Sequence, residues 1–87
     1  MHLTIYSRPG CHLCDEMKSL VHRFVAQHSG LTHMNVDEID IETNRELCDR
    51  YGLEIPVLLI DGKKVAKYRI SEEELARMVE ARDRGKR

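Results

Sequence analysis

The chain has 87 residues, of which 41% are hydrophobic and 33% are charged, and its formal net charge is −1. This length allows one small domain and excludes a multidomain architecture. The near-neutral charge, with only one Phe and three Tyr, argues against a nucleic-acid-binding or lipid-binding surface. We therefore expect a globular domain that binds neither nucleic acid nor membrane.

We expect neither a secretion signal nor a membrane span at the beginning of the sequence. The apolar segment at residues 1–6 has only the length of a strand, and Arg8 and Pro9 follow it. Three cysteines are an odd number and too few for a disulfide-stapled secreted fold. We expect a cytoplasmic protein in which a Cys-x-x-Cys pair is redox-active or binds a metal.

The first half of the chain predicts a strand, a helix and a second strand. Residues 2–6 alternate polar and apolar side chains, and the segment Ser-Arg-Pro-Gly at 7–10 ends that strand. The helix begins near Cys11 and ends near residues 29–30. Its apolar residues recur every three or four positions: Cys14, Met17, Leu20, Val21, Phe24 and Val25. Residues 31–37 alternate again and predict the second strand.

A short helix should follow the second strand. Thr43 and Glu46 form a Thr-x-x-Glu capping box that begins this helix, and Gly52 ends it. Cys48 falls on the apolar side of the helix, so we expect it to be a buried core thiol.

The last part of the chain predicts a hairpin and a closing helix. The apolar run at residues 55–60 is too short for a helix, and the Asp-Gly pair that follows it is typical of a hairpin turn into a fourth strand. Ser71 and Glu74 form a second capping box. The helix after it has an apolar stripe formed by Leu75, Met78 and Val79.

These elements give the order βαβαββα. A βαβ unit requires a parallel strand pair with a right-handed crossover, and the hairpin adds antiparallel strands. We therefore predict an α/β fold with a four-stranded mixed sheet and helices on both faces. Residues 1–80 should form the domain, residues 81–87 a flexible basic tail, and the protein should be a monomer.

Cys11 and Cys14 are the candidate catalytic residues. Positions i and i+3 at a helix start lie about 5 to 6 Å apart, which a disulfide can bridge without backbone movement. Cys11 at the helix mouth faces unpaired N–H groups and the positive end of the helix dipole, which favour a thiolate. We expect Cys11 to be the more acidic, nucleophilic thiol and the more buried Cys14 to be the resolving thiol.

Nearby charged residues have opposing effects on the stability of the Cys11 thiolate. His12 and Arg8 carry or can acquire positive charge that favours it. Asp15 and Glu16 favour the helix start but oppose a thiolate.

Two other interpretations of the pair are open. The first is that both cysteines are simply small buried hydrophobic residues, and it is disfavoured because Cys11 follows a Pro-Gly pair at a helix start. The second is a zinc site, with Cys11, His12 and Cys14 as ligands and Cys48 or a further histidine as the fourth. The sequence lacks a second pair of ligands at metal-binding spacing. We therefore expect no metal.

The motifs together resemble the thioredoxin superfamily, and more closely a glutaredoxin-like protein. The resemblance covers nearly all of residues 2–80 and consists of IYSRPGCHLC at 5–14, VDEIDI at 36–41, YGLEIPVLLIDGK at 51–63 and the closing helix. It implies a thioredoxin-like fold in which Pro56 is cis and lies opposite the cysteines. It also implies that the backbone of Ile55 orients the thiol part of a substrate.

The resemblance carries over only part of a glutathione site. Arg8 takes the place of the family's basic residue three positions before the first cysteine. Ile55 and Pro56 take the place of the end of the family's Thr-Val-Pro segment. His-Leu replaces the family's Pro-Tyr between the cysteines, and VAKYRISEEE at 65–74 replaces the Gly-Gly and acidic segment. Ser71 and Glu72, at a helix start, are partial substitutes.

We therefore predict a small dithiol-disulfide oxidoreductase that reduces protein or glutathione mixed disulfides and contributes to cell redox homeostasis. Cys11 and Cys14 are the catalytic residues, and Arg8, His12, Ile55 and Pro56 bind substrate. No organic cofactor is bound; glutathione is a possible co-substrate, and glutathione or a thioredoxin-reductase-type enzyme supplies the electrons. The alternatives are a metal or iron–sulfur cluster carrier that uses Cys11, and a non-catalytic accessory domain.

Overall fold

The computed structural model describes residues 1–28 and 33–84, which form the predicted βαβαββα order. The strands are β1 (His2–Ser7), β2 (Asn35–Asp40), β3 (Val57–Ile60) and β4 (Lys63–Lys67), and the helices are α1 (His12–Gln27), α2 (Arg45–Tyr51) and α3 (Glu72–Arg84). A 3₁₀ turn at Ile41–Thr43 precedes α2. The predicted end of the first helix at 29–30 and the first two residues of the predicted second strand lie outside the described residues.

The four strands form one mixed sheet in the order β2-β1-β3-β4. β1 is parallel to β2, from the pair His2 and Asn35 to the pair Ser7 and Asp40. β3 is antiparallel to both β1 and β4. The predicted sheet is therefore confirmed, with the β1–α1–β2 crossover at one side and the hairpin at the other.

Helices cover both faces of the sheet. Alternate residues of β1 and β3 point to one face, where they pack with α1 and α3 in a core cluster of Leu3, Ile5, Met17, Val21, Phe24, Met34, Leu58, Ile60, Leu75 and Val79. On the other face, the Tyr6 ring packs against Tyr51 of α2, with ring centroids 4.9 Å apart. Among the helices that the structure describes, none is long and apolar enough to cross a membrane.

Of the two predicted capping boxes, one is confirmed and the other is wrong. At α3, Glu74 N–H donates to Ser71 Oγ (3.1 Å) and Ser71 N–H donates to Glu74 Oε1 (3.2 Å), which is a capping box. At α2, the cap is Asn44 instead of Thr43, because Asn44 Oδ1 accepts from Leu47 N–H at 3.1 Å. The 3₁₀ turn, which includes Thr43, moves the helix start by one residue.

The hairpin turn has the backbone that its sequence predicts. Asp61 (φ 49°) and Gly62 (φ 83°) both have positive φ, as a two-residue hairpin of type I′ requires. The same turn contacts the closing helix, because Arg82 Nε lies 3.4 Å from Asp61 Oδ2. α3 extends to Arg84, so its last four residues belong to the segment 81–87 for which the sequence predicted a flexible tail. Residues 85–87 lie outside the described part of the chain.

Candidate redox site at the start of the first helix

Cys11 and Cys14 are joined by a disulfide at the N-terminus of α1. Cys11 is the N-cap residue, with extended backbone angles, and its carbonyl accepts from Asp15 N–H at 3.1 Å. Cys14 is one turn into the helix, and the two Cα atoms are 5.2 Å apart. The predicted closure of the pair from adjacent helix positions is therefore confirmed.

The two sulfur atoms have different environments. Cys14 is fully buried, whereas Cys11 is only half-buried. Cys14 N–H donates to Cys11 Sγ at 3.1 Å, so a helix N-terminal amide is directed at the more accessible sulfur. Such a donor stabilises negative charge on sulfur, and burial disfavours it. This asymmetry is the one expected for a nucleophilic Cys11 and a resolving Cys14.

The Ile55–Pro56 peptide bond is cis, as the resemblance implied. The register pairs Tyr6 at the end of β1 with Val57 at the start of β3, so these two residues lie at the sheet end from which β1 leads to Cys11. Pro56 is fully buried and Ile55 is half-buried. The substrate-binding roles predicted for both stay predictions.

The Arg8 side chain faces the end of α2. Arg8 Nη2 lies 3.5 Å from Gly52 O, and Arg8 Nε is buried with no hydrogen-bond partner in the described structure. His12, by contrast, is exposed at the first position of α1. The predicted contacts of Arg8 and His12 with a substrate also stay predictions.

Two clefts flank the start of α1. The larger, about 490 Å³, lies between α1 and the segment that connects β4 to α3, and its lining residues are His12, Leu13, Asp15, Glu16, Met17, Ser19, Leu20, Arg23, Tyr68, Arg69 and Ile70. The smaller, about 250 Å³, is lined by Ser7, Arg8, Pro9, Lys18, Glu38 and Asp40. The reactive helix start therefore has a cleft on each side.

Sequence reasoning missed two exposed apolar residues near the site. Leu53 is 92% exposed and Tyr68 is 43% exposed. Tyr68 O–H donates to Leu53 O at 2.9 Å, and Tyr68 N–H donates to Pro56 O at 2.8 Å. Both residues lie in connecting segments without periodicity, so no local pattern indicated that they meet beside Pro56.

A charged cluster attaches α1 to β2 beside the smaller cleft. His22 Nε2 hydrogen-bonds Glu38 Oε2, and Lys18 Nζ lies 3.6 Å from Glu38 Oε1. The hydrogen bond from His22 is the main reason that the pKa of Glu38 lies below its ordinary value. Burial acts in the opposite direction, and the positive charges of Lys18 and His22 add to the lowering. The cluster therefore favours an ionised Glu38.

The third cysteine differs from expectation. Cys48 is half-buried on α2, a helix with no fully buried residue, so the prediction of a buried core thiol is wrong. α2 is short and packs on the sheet face outside the main core cluster, which explains the exposure. Within residues 1–28 and 33–84, no three His, Cys, Asp or Glu side chains are grouped so that they could hold a metal ion.

Comparisons with known proteins identify the family to which the chain is similar. The family model named glutaredoxin-like domain matches residues 2–80. The chain is 32% identical over 77 residues to the glutaredoxin-like protein YDR286C homolog of Dictyostelium discoideum, covering 86% of this chain and 71% of that protein.

Solved structures show the same fold. Protein XcR50 of X. campestris has 28% identity and a TM-score of 0.66, with 91% of this chain and 96% of that chain covered. Protein Ne2328 of Nitrosomonas europaea has 25% identity and a TM-score of 0.70, with 88% of each chain covered. The thioredoxin Deadhead of Drosophila melanogaster has 25% identity and a TM-score of 0.60, with 92% of this chain and 78% of that chain covered.

Proposed function

The chain belongs to the glutaredoxin-like family of the thioredoxin superfamily, and we propose that it is a thiol-disulfide oxidoreductase acting through Cys11 and Cys14. One observation carries the proposal. The more accessible sulfur, Cys11 Sγ, accepts a helix N-terminal N–H, and the buried Cys14 lies within disulfide distance of it. A nucleophile with a resolving partner needs this arrangement.

In the first step, the reduced protein attacks its substrate. The Cys11 thiolate displaces one sulfur of a substrate disulfide, so a bond forms between Cys11 Sγ and the other substrate sulfur while the substrate disulfide breaks. The first substrate thiolate leaves and takes up a proton. The Cys14 N–H supports negative charge on Cys11 Sγ before the attack.

In the second step, Cys14 resolves the mixed disulfide. Cys14 loses its proton and attacks Cys11 Sγ, which forms the Cys11–Cys14 disulfide and releases the second substrate thiol. The two protein thiols together supply two electrons and two protons to the substrate. In the disulfide form the two Cα atoms are 5.2 Å apart, within the usual range for a disulfide.

The substrates that we propose are protein disulfides or glutathione mixed disulfides. Ile55 and Pro56, at the sheet end that leads to Cys11, would align the substrate backbone, and Arg8 and His12 would contact it. A cytoplasmic dithiol or thiol reductant, either glutathione or a thioredoxin-reductase-type flavoenzyme, returns two electrons to the oxidised pair. The protein needs no bound organic cofactor in this scheme.

Turnover by cysteine variants tests the proposal. The wild-type protein and Cys48→Ser should reduce hydroxyethyl disulfide and a disulfide-bonded protein with dithiothreitol as donor. Cys11→Ser should show only the background rate of dithiothreitol alone. Cys14→Ser, reduced, freed of dithiothreitol and then mixed with substrate, should accumulate one substrate adduct on Cys11, detected by peptide mass. Full activity of Cys11→Ser, or an adduct on Cys48 instead of Cys11, would overturn the proposal. Repeating the assay with glutathione or the flavoenzyme identifies the donor.

A further inference from the structure

The larger cleft, which we call the α1 cleft, begins next to Cys11 and follows α1. His12, Glu16, Ser19 and Arg23 line it at spacings of four, three and four residues, so they share one face of the helix. This face is separate from the buried one that carries Cys14. The cleft therefore extends from the redox site along about three turns of helix.

The opposite wall of the α1 cleft is held in place by hydrogen bonds. Tyr68 has a positive φ of 68°. Its N–H donates to Pro56 O and its O–H donates to Leu53 O, so the segment from Tyr68 to Ile70 is attached to the loop that carries the cis proline. The wall opposite α1 is therefore bonded to the segment from Leu53 to Pro56.

Charge varies along the helix wall of the α1 cleft. Asp15 and Glu16 lie at the end near Cys11, Arg23 lies at the far end, and Arg69 lies on the opposite wall. Within the described parts of the chain, none of these four side chains takes part in an ion pair. They are therefore free to interact with the charges of a bound molecule.

The spacing of these charges fits an extended polypeptide. Asp15 and Glu16 are about 6 to 8 Å along the helix axis from Cys11, and Arg23 is about 18 Å from it. An extended chain advances about 3.4 Å per residue, so these distances correspond to roughly two and five residues. A tripeptide whose thiol is at Cys11 is too short to reach Arg23.

We propose that the α1 cleft binds an extended segment of a substrate protein that has a basic residue about two positions, and an acidic residue about five positions, from its disulfide cysteine. The basic residue faces Asp15 and Glu16, and the acidic residue faces Arg23. The inference rests on the proposed function and names its substrate class: a polypeptide with this charge pattern, which glutathione lacks.

Two peptides of identical composition and net charge test the inference. The first is Glu-Ala-Ala-Lys-Ala-Cys-Ala-Lys-Ala-Ala-Glu, and in the second every Lys and Glu is exchanged. Because each is symmetric about its cysteine, the chain direction in the cleft does not matter. Each is used as a mixed disulfide with mercaptoethanol, and kcat/KM is divided by the rate of reduction by dithiothreitol alone. This division removes the effect of neighbouring charges on the peptide sulfur.

The wild-type protein should prefer the first peptide by about threefold to tenfold, the change that two exposed ion pairs produce. The preference should decrease as salt is added. Glu16→Lys/Arg23→Glu, which leaves the net charge unchanged, should lower the ratio to one or below. Arg77→Glu, the same charge reversal as Arg23→Glu but on the exposed side of α3, should leave the ratio unchanged.

Equal rates for the two peptides in the wild-type protein, or an unchanged ratio in Glu16→Lys/Arg23→Glu, would overturn the inference. If both peptides and hydroxyethyl disulfide are nevertheless reduced, the oxidoreductase function stands and only the docking inference fails. If no disulfide is reduced, both fail.

Discussion

The guanidinium of Arg8 reaches the carbonyl of Gly52, with Nη2 and O 3.5 Å apart and the two residues 44 positions apart in the chain. Arg8 lies three positions before Cys11, and Gly52 ends α2 just before the loop with Ile55 and Pro56. A cation at the C-terminus of a helix is also favoured by the helix dipole. The contact therefore connects the loop before Cys11 to the end of α2.

Replacing Gly52 with Ala should destabilise the protein. A Cβ atom at this position would lie 2.5 Å from Cys48 O and 3.2 Å from Arg8 Nη2, so the helix end or the guanidinium has to move. We expect a loss of about 1 to 3 kcal/mol in the free energy of unfolding, measured by urea denaturation. The neighbouring Leu53→Ala, at a residue that is 92% exposed, should change it by no more than about 0.5 kcal/mol. Equal stabilities of the two variants would contradict the predicted crowding.

Cys11 should react with alkylating agents before the other cysteines. In the disulfide form, its sulfur accepts the N–H of Cys14 and the residue is half-buried, whereas Cys14 is fully buried, and we expect the same environments after reduction. Alkylation at pH 6, followed by peptide mass analysis, should label Cys11 first, because the thiolate is the reactive form. Cys48 provides an internal control as a half-buried thiol away from the end of α1. First labelling at Cys14 or Cys48 would show that the helix start does not activate Cys11.

Asn44, and not Thr43 with Glu46, should stabilise the start of α2. Asn44 Oδ1 accepts from Leu47 N–H, so Asn44→Ala removes a cap and should cost about 0.5 to 2 kcal/mol of unfolding free energy. Glu46→Ala is the control, because the capping box that the sequence suggested at this residue is not the one formed. Thermal unfolding of both variants compares them. A larger loss in Glu46→Ala would restore the original prediction.

The cluster around Glu38 should make stability depend on pH in the acidic range. The His22 hydrogen bond and Lys18 hold the pKa of Glu38 below its ordinary value of 4.5, so folding favours the ionised carboxylate. The ionised Glu38 therefore adds to the free energy of unfolding above pH 4.5, and this addition is lost as the pH falls through the lower pKa of the folded state. The wild type should therefore exceed Glu38→Gln in stability at pH 6, and the difference should decrease towards pH 3.

Denaturation at each pH measures this difference, and a double-mutant cycle with His22→Ala isolates the contribution of the pair. A difference between wild type and Glu38→Gln that is constant from pH 6 to pH 3 would contradict the prediction.

Glutathione should bind weakly. The N–H groups of Ser71 and Glu74 are paired with side chains of the capping box, and three glutamates occupy the first turn of α3. This helix start is therefore a poor substitute for the Gly-Gly and acidic segment with which the family binds the γ-glutamyl end of glutathione. Each lost charge-assisted hydrogen bond costs about 1.5 to 3 kcal/mol, or roughly tenfold or more in affinity.

Calorimetry of glutathione with Cys14→Ser, free and as the mixed disulfide, measures this affinity. A Ser71→Ala/Glu74→Ala variant frees both N–H groups of the helix start and should bind glutathione more tightly than its parent. Tight binding to the parent itself would show that another surface replaces the missing segment.

Much of the fold follows from patterns that are local in the sequence. Apolar residues at spacings of two and of three or four identify the strands and helices, and the Asp-Gly pair predicts the hairpin, because these signals depend on neighbouring residues. Cys11 and Cys14 fall at a helix start for the same reason, so their pairing and unequal burial were predictable. The start of α2 was placed one residue early, since a 3₁₀ turn competes with the capping box and has no distinct sequence signal.

The sequence by itself thus determined the order of the elements, the mixed sheet and the cysteine pair. Only the tertiary structure decided that Arg8 faces Gly52, that Tyr68 bonds the loop at Leu53 and Pro56, and that a charged cleft follows α1. These contacts join residues from separate elements, whose distances depend on how helices pack on the sheet. Packing is a property of the whole chain, and no local pattern encodes which distant side chains it brings together.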